Sequence, residues 1–244
     1  MERMHAGFLG RRQFMCSCCA LVGTALTSRF MAAEADEPIV VPVERAPFHV
    51  PVFANEYVQM LKVEIPAGRV GAWHKHSIDL AGVVTETHGA VVQVLGQAAA
   101  PVDVKPGQVI FAGYTKAPLI HQISNVGSGL YQVIAFEILY PQPGRFSPSA
   151  RTEVPAYTSV IDNDRVRGWR VILEPGQAIP AIAQTAPGVR IVQQSGYLVE
   201  TLKDQPDQEM RLDVGDFEWQ PAGTTRSLKN AGAAPIELIE FELK

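Results

Sequence analysis

Cysteine is scarce in this sequence, and the 3 that occur, Cys16, Cys18 and Cys19, crowd into one short segment near the start. Everything downstream therefore lacks disulfides and thiolate metal ligands and must hold together by packing and polar contacts. Charge of one sign is also lacking: 21 lysines and arginines stand against 25 acids, a formal charge of −4, with no block of like charges. That excludes the basic stripe a nucleic-acid backbone requires and the polybasic patch that draws a protein to anionic lipid. Long apolar runs are missing as well. The greasiest stretch, Cys16 to Leu26, falls well short of the roughly 20 residues that span a bilayer as a helix.

That stretch follows Arg11-Arg12-Gln13-Phe14-Met15 and precedes the small residues of Ala33-Glu34-Ala35. A basic start, a short apolar middle and a small-x-small cut form the layout of an export signal, and the paired arginines resemble the twin-arginine type. Residues 1–35 are thus expected to be removed on export to the periplasm or the medium, leaving 17 bases against 23 acids, a charge of −6 and no membrane attachment. A lipid anchor fits less well, because Gln13, Phe14 and Met15 are bulkier than a lipid-attachment motif presents. A Cys-x-Cys-Cys metal cluster also fits less well, since cysteines inside an export signal serve as small apolar residues.

Beyond Pro38 the chain is made of short segments rich in Val, Ile, Phe and Tyr, broken by Gly or Pro-Gly about every 8–12 residues. Such punctuation predicts an all-β sandwich or barrel. The Pro- and Ser-rich stretch from Pro141 to Ser149 divides it and reads as a linker. The two halves repeat each other. The segment ending in Pro66-Ala67-Gly68 lies over the one ending in Glu174-Pro175-Gly176, and Val104 to Phe111 lies over Leu212 to Trp219, both at an offset of 108 (68 to 176, 104 to 212). Phe136-Glu137-Ile138 then lies over Phe241-Glu242-Leu243 at an offset of 105, so one loop is 3 residues shorter in the second half.

On this frame sit the histidines. His74 and His76 flank Lys75, and on a strand residues two apart face the same side, so the two imidazoles point together. Alone, such a pair also fits two surface or hydrogen-bonded histidines. A third, His121, follows Pro106-Gly107 and a proline-containing loop, with Asn125 four positions on.

These segments resemble the two halves of the cupin signature, a His-x-His after a Pro-Gly turn and a Pro-x-Gly with a later His-x-x-x-Asn. The resemblance covers about residues 66–125, and the repeat extends it to most of the chain. It implies two tandem cupin (double-stranded β-helix, jelly-roll) barrels: residues 40–140 as a metal-binding barrel, 141–155 as linker, and 156–244 as a second barrel. It also implies that His74, His76 and His121 hold one divalent transition metal inside the first barrel.

One departure stands out: many cupins add a carboxylate four or five residues after the second His, where this chain has Leu80 and Ala81. Asp79 is the nearest acid and by strand parity faces away unless a bulge turns it. A three-His site with open positions is expected, suited to Fe, Ni, Cu or Zn and less to Mn. Further candidates around it are Tyr114 and Lys116, in the loop before His121, for substrate contacts. Glu137 or Gln132, on the last strand, would either support the metal or face outward. His88 reads as a turn residue and Trp73 as packing.

In the second half the ligand positions hold Ile182, Gln184 and Arg226 while Asn230 matches Asn125, so the frame is kept and the metal site lost. That barrel would pack on the first, shape its mouth, or bind an anion through Arg226. The expected function is a metal-dependent, oxygenase-type cupin acting on a small molecule. A non-catalytic binding protein, or a sugar-acid isomerase or lyase, is the alternative. Cupins also pair through barrel edges, so a homodimer is a further expectation.

Overall fold

The structure, a computed structural model, describes residues 37–244; the expected export signal and its three cysteines lie outside them. The first half contains β1 (Val41–Pro42), β2 (His49–Ala54), β3 (Val58–Ile65), β4 (His74–His76), β5 (Leu80–Glu86), β6 (Ala90–Val94), β7 (Ala100–Val102), β8 (Gln108–Ala112), β9 (Leu119–Asn125) and β10 (Tyr131–Ile138). They form two facing sheets, β1-β4-β9-β6-β7 and β2-β3-β10-β5-β8. The second half contains β11 (Tyr157–Asp162), β12 (Val166–Leu173), β13 (Ala178–Ala183), β14 (Gly188–Gln194), β15 (Gly196–Leu202), β16 (Gln208–Leu212), β17 (Phe217–Gln220), β18 (Thr225–Asn230) and β19 (Ile236–Leu243). Its sheets, β11-β12-β19-β14-β17 and β13-β18-β15-β16, repeat the order of the first pair without a counterpart of β1. The chain is all-β, two tandem cupin barrels. Among the described residues no helix is long and apolar enough to cross a membrane.

The repeat reaches down to single hydrogen bonds. Asn125 donates through Nδ2 to the carbonyls of Ile65 (2.7 Å) and Gly129 (2.8 Å) and accepts from the Gly127 N–H (3.0 Å). Asn230 does the same with Leu173, Ala234 and Gly232, each at 2.8 Å. The asparagine therefore ties strand to turn, which explains why it survives in the barrel without histidines. The turn glycines repeat too: Gly68, Gly107, Gly176 and Gly215 have φ of 70°, 81°, 77° and 86°, a left-handed conformation that a side chain would strain.

Strand β10 is buried along its whole length, because its sheet has one face in its own barrel and the other against the second barrel. Ile134, Phe136 and Ile138 join Val189, Ile239 and Phe241 in the shared core. The repeat partners Phe136 and Phe241 meet edge to face at 5.2 Å. Tyr131, Val133 and Ala135, of opposite parity, face the first barrel's interior.

Within residues 141–155, expected to be a linker, Arg151 enters the second barrel. Arg151 is only 2% exposed, packs over the rings of Trp169 (4.4 Å) and Tyr157 (5.1 Å), and pairs with Glu240 and Glu242. An arginine this deep is stable only when fully paired, and those partners lie inside the barrel. There it joins Arg190, held by Glu200 at 2.8 Å and Glu218 and Glu240 at 3.0 Å. Arg226 completes the cluster, donating to Gln184 at 2.9 Å and Glu240 at 3.1 Å and lying 3.4 Å from Glu200. All three nitrogens of its guanidinium face internal partners, so the expected anion contact at Arg226 is overturned.

Burial pushes the Glu240 carboxyl up, yet Arg226, Arg151 and Arg190 outweigh that and hold it well below the usual value of 4.5. A folded value below the unfolded one means that this stabilisation is present above about pH 4.5 and is lost as pH falls. Replacing Arg190 by Met is expected to leave the three buried carboxylates of Glu200, Glu240 and Glu242 with only Arg151 and Arg226 to balance them and to cost about 3–5 kcal/mol. Denaturant titration at pH 7 reads that loss, and the gap between variant and parent should narrow below pH 4.5.

Candidate metal centre

The short strand β4 carries two of the histidines, and the burial alternates along it: His74 and His76 buried, Lys75 exposed. Antiparallel pairing sets His74 opposite His121 on β9. From three elements of register (a period of two, one strand pair, one shared inward face) the imidazoles converge. One nitrogen from each of His74, His76 and His121 lies within 4.8 Å of the others, and the ring centroids are 4.5 to 5.1 Å apart.

Their hydrogen bonding suits a metal. His74 Nδ1 donates to the Ala72 carbonyl at 2.9 Å, which leaves Nε2 as a bare lone pair. That Nε2 lies 2.8 Å from Nε2 of His121, two nitrogens aimed at the same point. His76 Nδ1 is buried with no hydrogen-bond partner, a costly arrangement unless something ligates it. Burial first, then repulsion among the rings, lowers His76 to about 2 and His121 to about 3; burial also lowers His74. Neutral imidazoles at pH 7 are the form that binds a cation. The donor set fits one divalent transition metal.

A fourth histidine stands beside them and was not anticipated. His49, first residue of β2, is buried with its ring 4.3 Å from that of His74, and its Nδ1 bonds the Pro47 carbonyl at 3.2 Å. Burial and the nearby His74 bring it down to about 4. The repeat carried a signal for it: an offset of 108 places His49 over Tyr157, both opening equivalent strands. With His76, His121 and Tyr114 it lines a cavity of about 100 Å³, otherwise walled by Leu61, Val63, Leu80, Ile110, Ile123, Tyr131, Val133 and Ala135. Leu80, four residues after His76, thus lines the cavity with an aliphatic side chain.

The remaining candidates divide. Tyr114 stacks on His76 with centroids 4.7 Å apart and planes at 20°. Asp79 does not ligate. It clamps the loop that carries Tyr114, accepting from the Thr115 N–H at 2.9 Å and meeting Arg165 at 3.0 Å. Lys116 does not contact the site either, being exposed and 3.5 Å from Asp164; both Asp164 and Arg165 belong to the second half, which thereby shapes the mouth of the first. Glu137 lines a different cleft. Gln132 faces away and bonds Glu64 and Thr85, each at 2.7 Å. His88 is exposed beside Glu86 at 3.1 Å.

In the second barrel the repeat positions stay in register, Ile182 opposite Arg226 as His74 is opposite His121. Ile and Arg offer no lone pair to a cation.

His121→Ala is expected to abolish metal retention, measured by elemental analysis of purified protein, whereas His49→Phe should keep the metal with affinity weakened by about 10–100-fold. Wild-type stoichiometry in His121→Ala would remove that residue from the ligand set.

No protein-family model matches the sequence, and no curated protein sequence does. Solved structures are similar in fold. AerE from Microcystis aeruginosa superposes with a TM-score of 0.57 at 14% identity, over 82% of this chain and 98% of that one. Salicylate 1,2-dioxygenase from Pseudoaminobacter salicylatoxidans, crystallised as adducts with gentisate, gives a TM-score of 0.54 at 14% identity, over 77% and 68%. At such identities the likeness concerns the fold alone, a pair of tandem barrels of the cupin type.

Proposed function

We propose that this protein is an exported, metal-dependent oxygenase of a compact small molecule, with the metal held by His74, His76 and His121. The observation that carries the reading is the convergence of three neutral imidazoles on one point at the wall of a small, mostly apolar cavity. A dioxygenase among the similar folds adds a precedent for oxygen chemistry on paired barrels of this kind.

When bound, a divalent metal supplies Lewis acidity and, as iron or copper, electron transfer to oxygen. The chain's own residues do the rest. Three neutral ligands leave the cation's charge uncompensated, which favours an anionic or chelating oxygen group on the ligand. Leu61, Val63, Leu80, Ile123 and Val133 exclude water and strengthen every electrostatic contact inside. Tyr114, stacked on His76, steadies that ring; burial raises its hydroxyl pKa, so it keeps its proton. His49 offers a neutral imidazole to hydrogen-bond whatever enters. The cavity of about 100 Å³ is smaller than the roughly 300–1,000 Å³ of ordinary ligand sites, which limits the ligand or requires the Tyr114 loop to move.

A binding protein without turnover is the second reading, favoured by the lack of any carboxylate or lysine among the residues lining the cavity.

Protein recovered from its native compartment is expected to contain iron or copper and to consume oxygen with a small chelating substrate, the rate falling to background in His121→Ala. Zinc with no oxygen uptake would transfer the assignment to binding. For export, replacing Arg11 and Arg12 by lysines should retain the chain in the cytoplasm, and the exported form should begin after Ala35.

A further inference from the structure

The repeat makes each barrel a control for the other, and Glu137 is where they disagree. Glu137 pairs across its sheet with Gln59 and Leu80, as Glu242 pairs with Arg167 and Gly188, so the two glutamates are equivalent. In the second barrel Glu242 is neutralised by Arg151 and accepts from the Ser149 N–H at 2.8 Å and hydroxyl at 2.9 Å. The position equivalent to Arg151 is Val43. The Ala46 N–H bonds the Val43 carbonyl at 3.0 Å as the Val154 N–H bonds that of Arg151 at 3.2 Å, and the bond from His49 to Ala46 repeats as Tyr157 to Val154. Ser149 likewise maps onto Val41.

The first barrel has thus kept the carboxylate and not its cation. Glu137 is only 4% exposed, yet among the described residues it has no ion-pair partner. Its one hydrogen bond, from Gln59 Nε2, is long at 3.4 Å. It opens on a cleft of about 460 Å³ lined also by Val41, Val43, Glu44, Gln59 and Ser77. Lys75 lines the same cleft without pairing to it.

We propose that this cleft binds a small molecule through a cationic nitrogen, a guanidinium or ammonium, seated on Glu137 as Arg151 is seated on Glu242. The second barrel is in effect already loaded with its own side chain. Val41 and Val43 offer an apolar wall to the ligand's alkyl part, and Glu44 adds negative charge at the rim. Burial, with Glu44, raises the Glu137 carboxyl to about 7, the mark of a carboxylate missing its counter-ion. Arg151 also reaches Glu240, whose counterpart Ala135 lines the metal cavity. A cation bound this way would lie beside the wall of the metal site. The inference stands on the repeat alone and does not require that the histidines hold a metal.

Calorimetry of the purified protein at pH 8 with n-propylguanidinium, n-propylammonium and the neutral isostere N-propylurea tests it. The guanidinium is expected to bind at least about ten-fold tighter than the urea, a difference of about 1.4 kcal/mol. Glu137→Gln should erase that preference, and Val43→Arg, which restores the second barrel's arrangement, should abolish binding. His121→Ala should retain the preference, so failure of the metal reading and failure of this one are distinguishable. Equal binding of charged and neutral probes, no binding of any probe, or a preference that survives Glu137→Gln would each overturn the proposal. A folding control accompanies it. With a folded value of about 7 against 4.5 unfolded, Glu137 loses stability for the fold as pH rises through that window. Glu137→Gln should therefore melt higher than the parent at pH 8 and with it at pH 4.

Discussion

The candidate site depends on one strand pairing, β4 against β9. Antiparallel register sets His74 opposite His121, and the two-residue period of the strand carries His76 to the same face. A slip of one residue would turn Lys75 inward and both histidines out. What prevents the slip is not the histidines. Asn125 anchors the end of β9 to Ile65 and the following turn, and Asn230 does the same for β18 in a barrel that has no site to protect. Register is a property of the frame, and the histidine cluster is placed upon it.

The two barrels fill the same interior by opposite means. In the first, three histidines, two tyrosines and aliphatic walls line a small cavity. In the second, Arg151, Arg190 and Arg226 interlock with Glu200, Glu240 and Glu242 and leave no donor set for a cation. A buried ion network is weak evidence for stability, because desolvation offsets much of the attraction. Its consequence here is geometric: it fills the barrel with charge that is internally balanced. The second barrel then contributes outward, through the shared core around Phe136 and Phe241 and through Asp164 and Arg165, which hold the loop bearing Tyr114 near His76.

Much of this was legible in advance because repetition is a strong signal. The offset of 108, reduced to 105 past the shortened loop, located equivalent strands and the absence of ligands at Ile182, Gln184 and Arg226, and the structure pairs Ile182 with Arg226 as those two offsets together require. Polar residues outside the motif were harder to place. Strand parity kept Asp79 off the metal, but the loop clamp and the reach of Arg165 depend on contacts between distant segments. Lys116 was assigned to the mouth from its position in a loop, and loops do not dictate where a long side chain goes. The Pro- and Ser-rich stretch reads as a linker by composition, and no local pattern reveals that Arg151 at its end enters a barrel.

The sequence by itself determined the all-β class and the two-fold repeat, because hydrophobic alternation, turn glycines and a repeated register are local properties that each segment carries, and its resemblance to the cupin signature pointed to the three histidines. Tertiary structure alone decided that His49 joins the cluster, that Leu80 walls the cavity, that Arg226 is spent on internal carboxylates and that Glu137 is left without a cation. Those outcomes depend on which side chains from far-apart strands meet inside a closed sheet. Their charges and hydrogen bonds are balanced only once the barrel has closed around them.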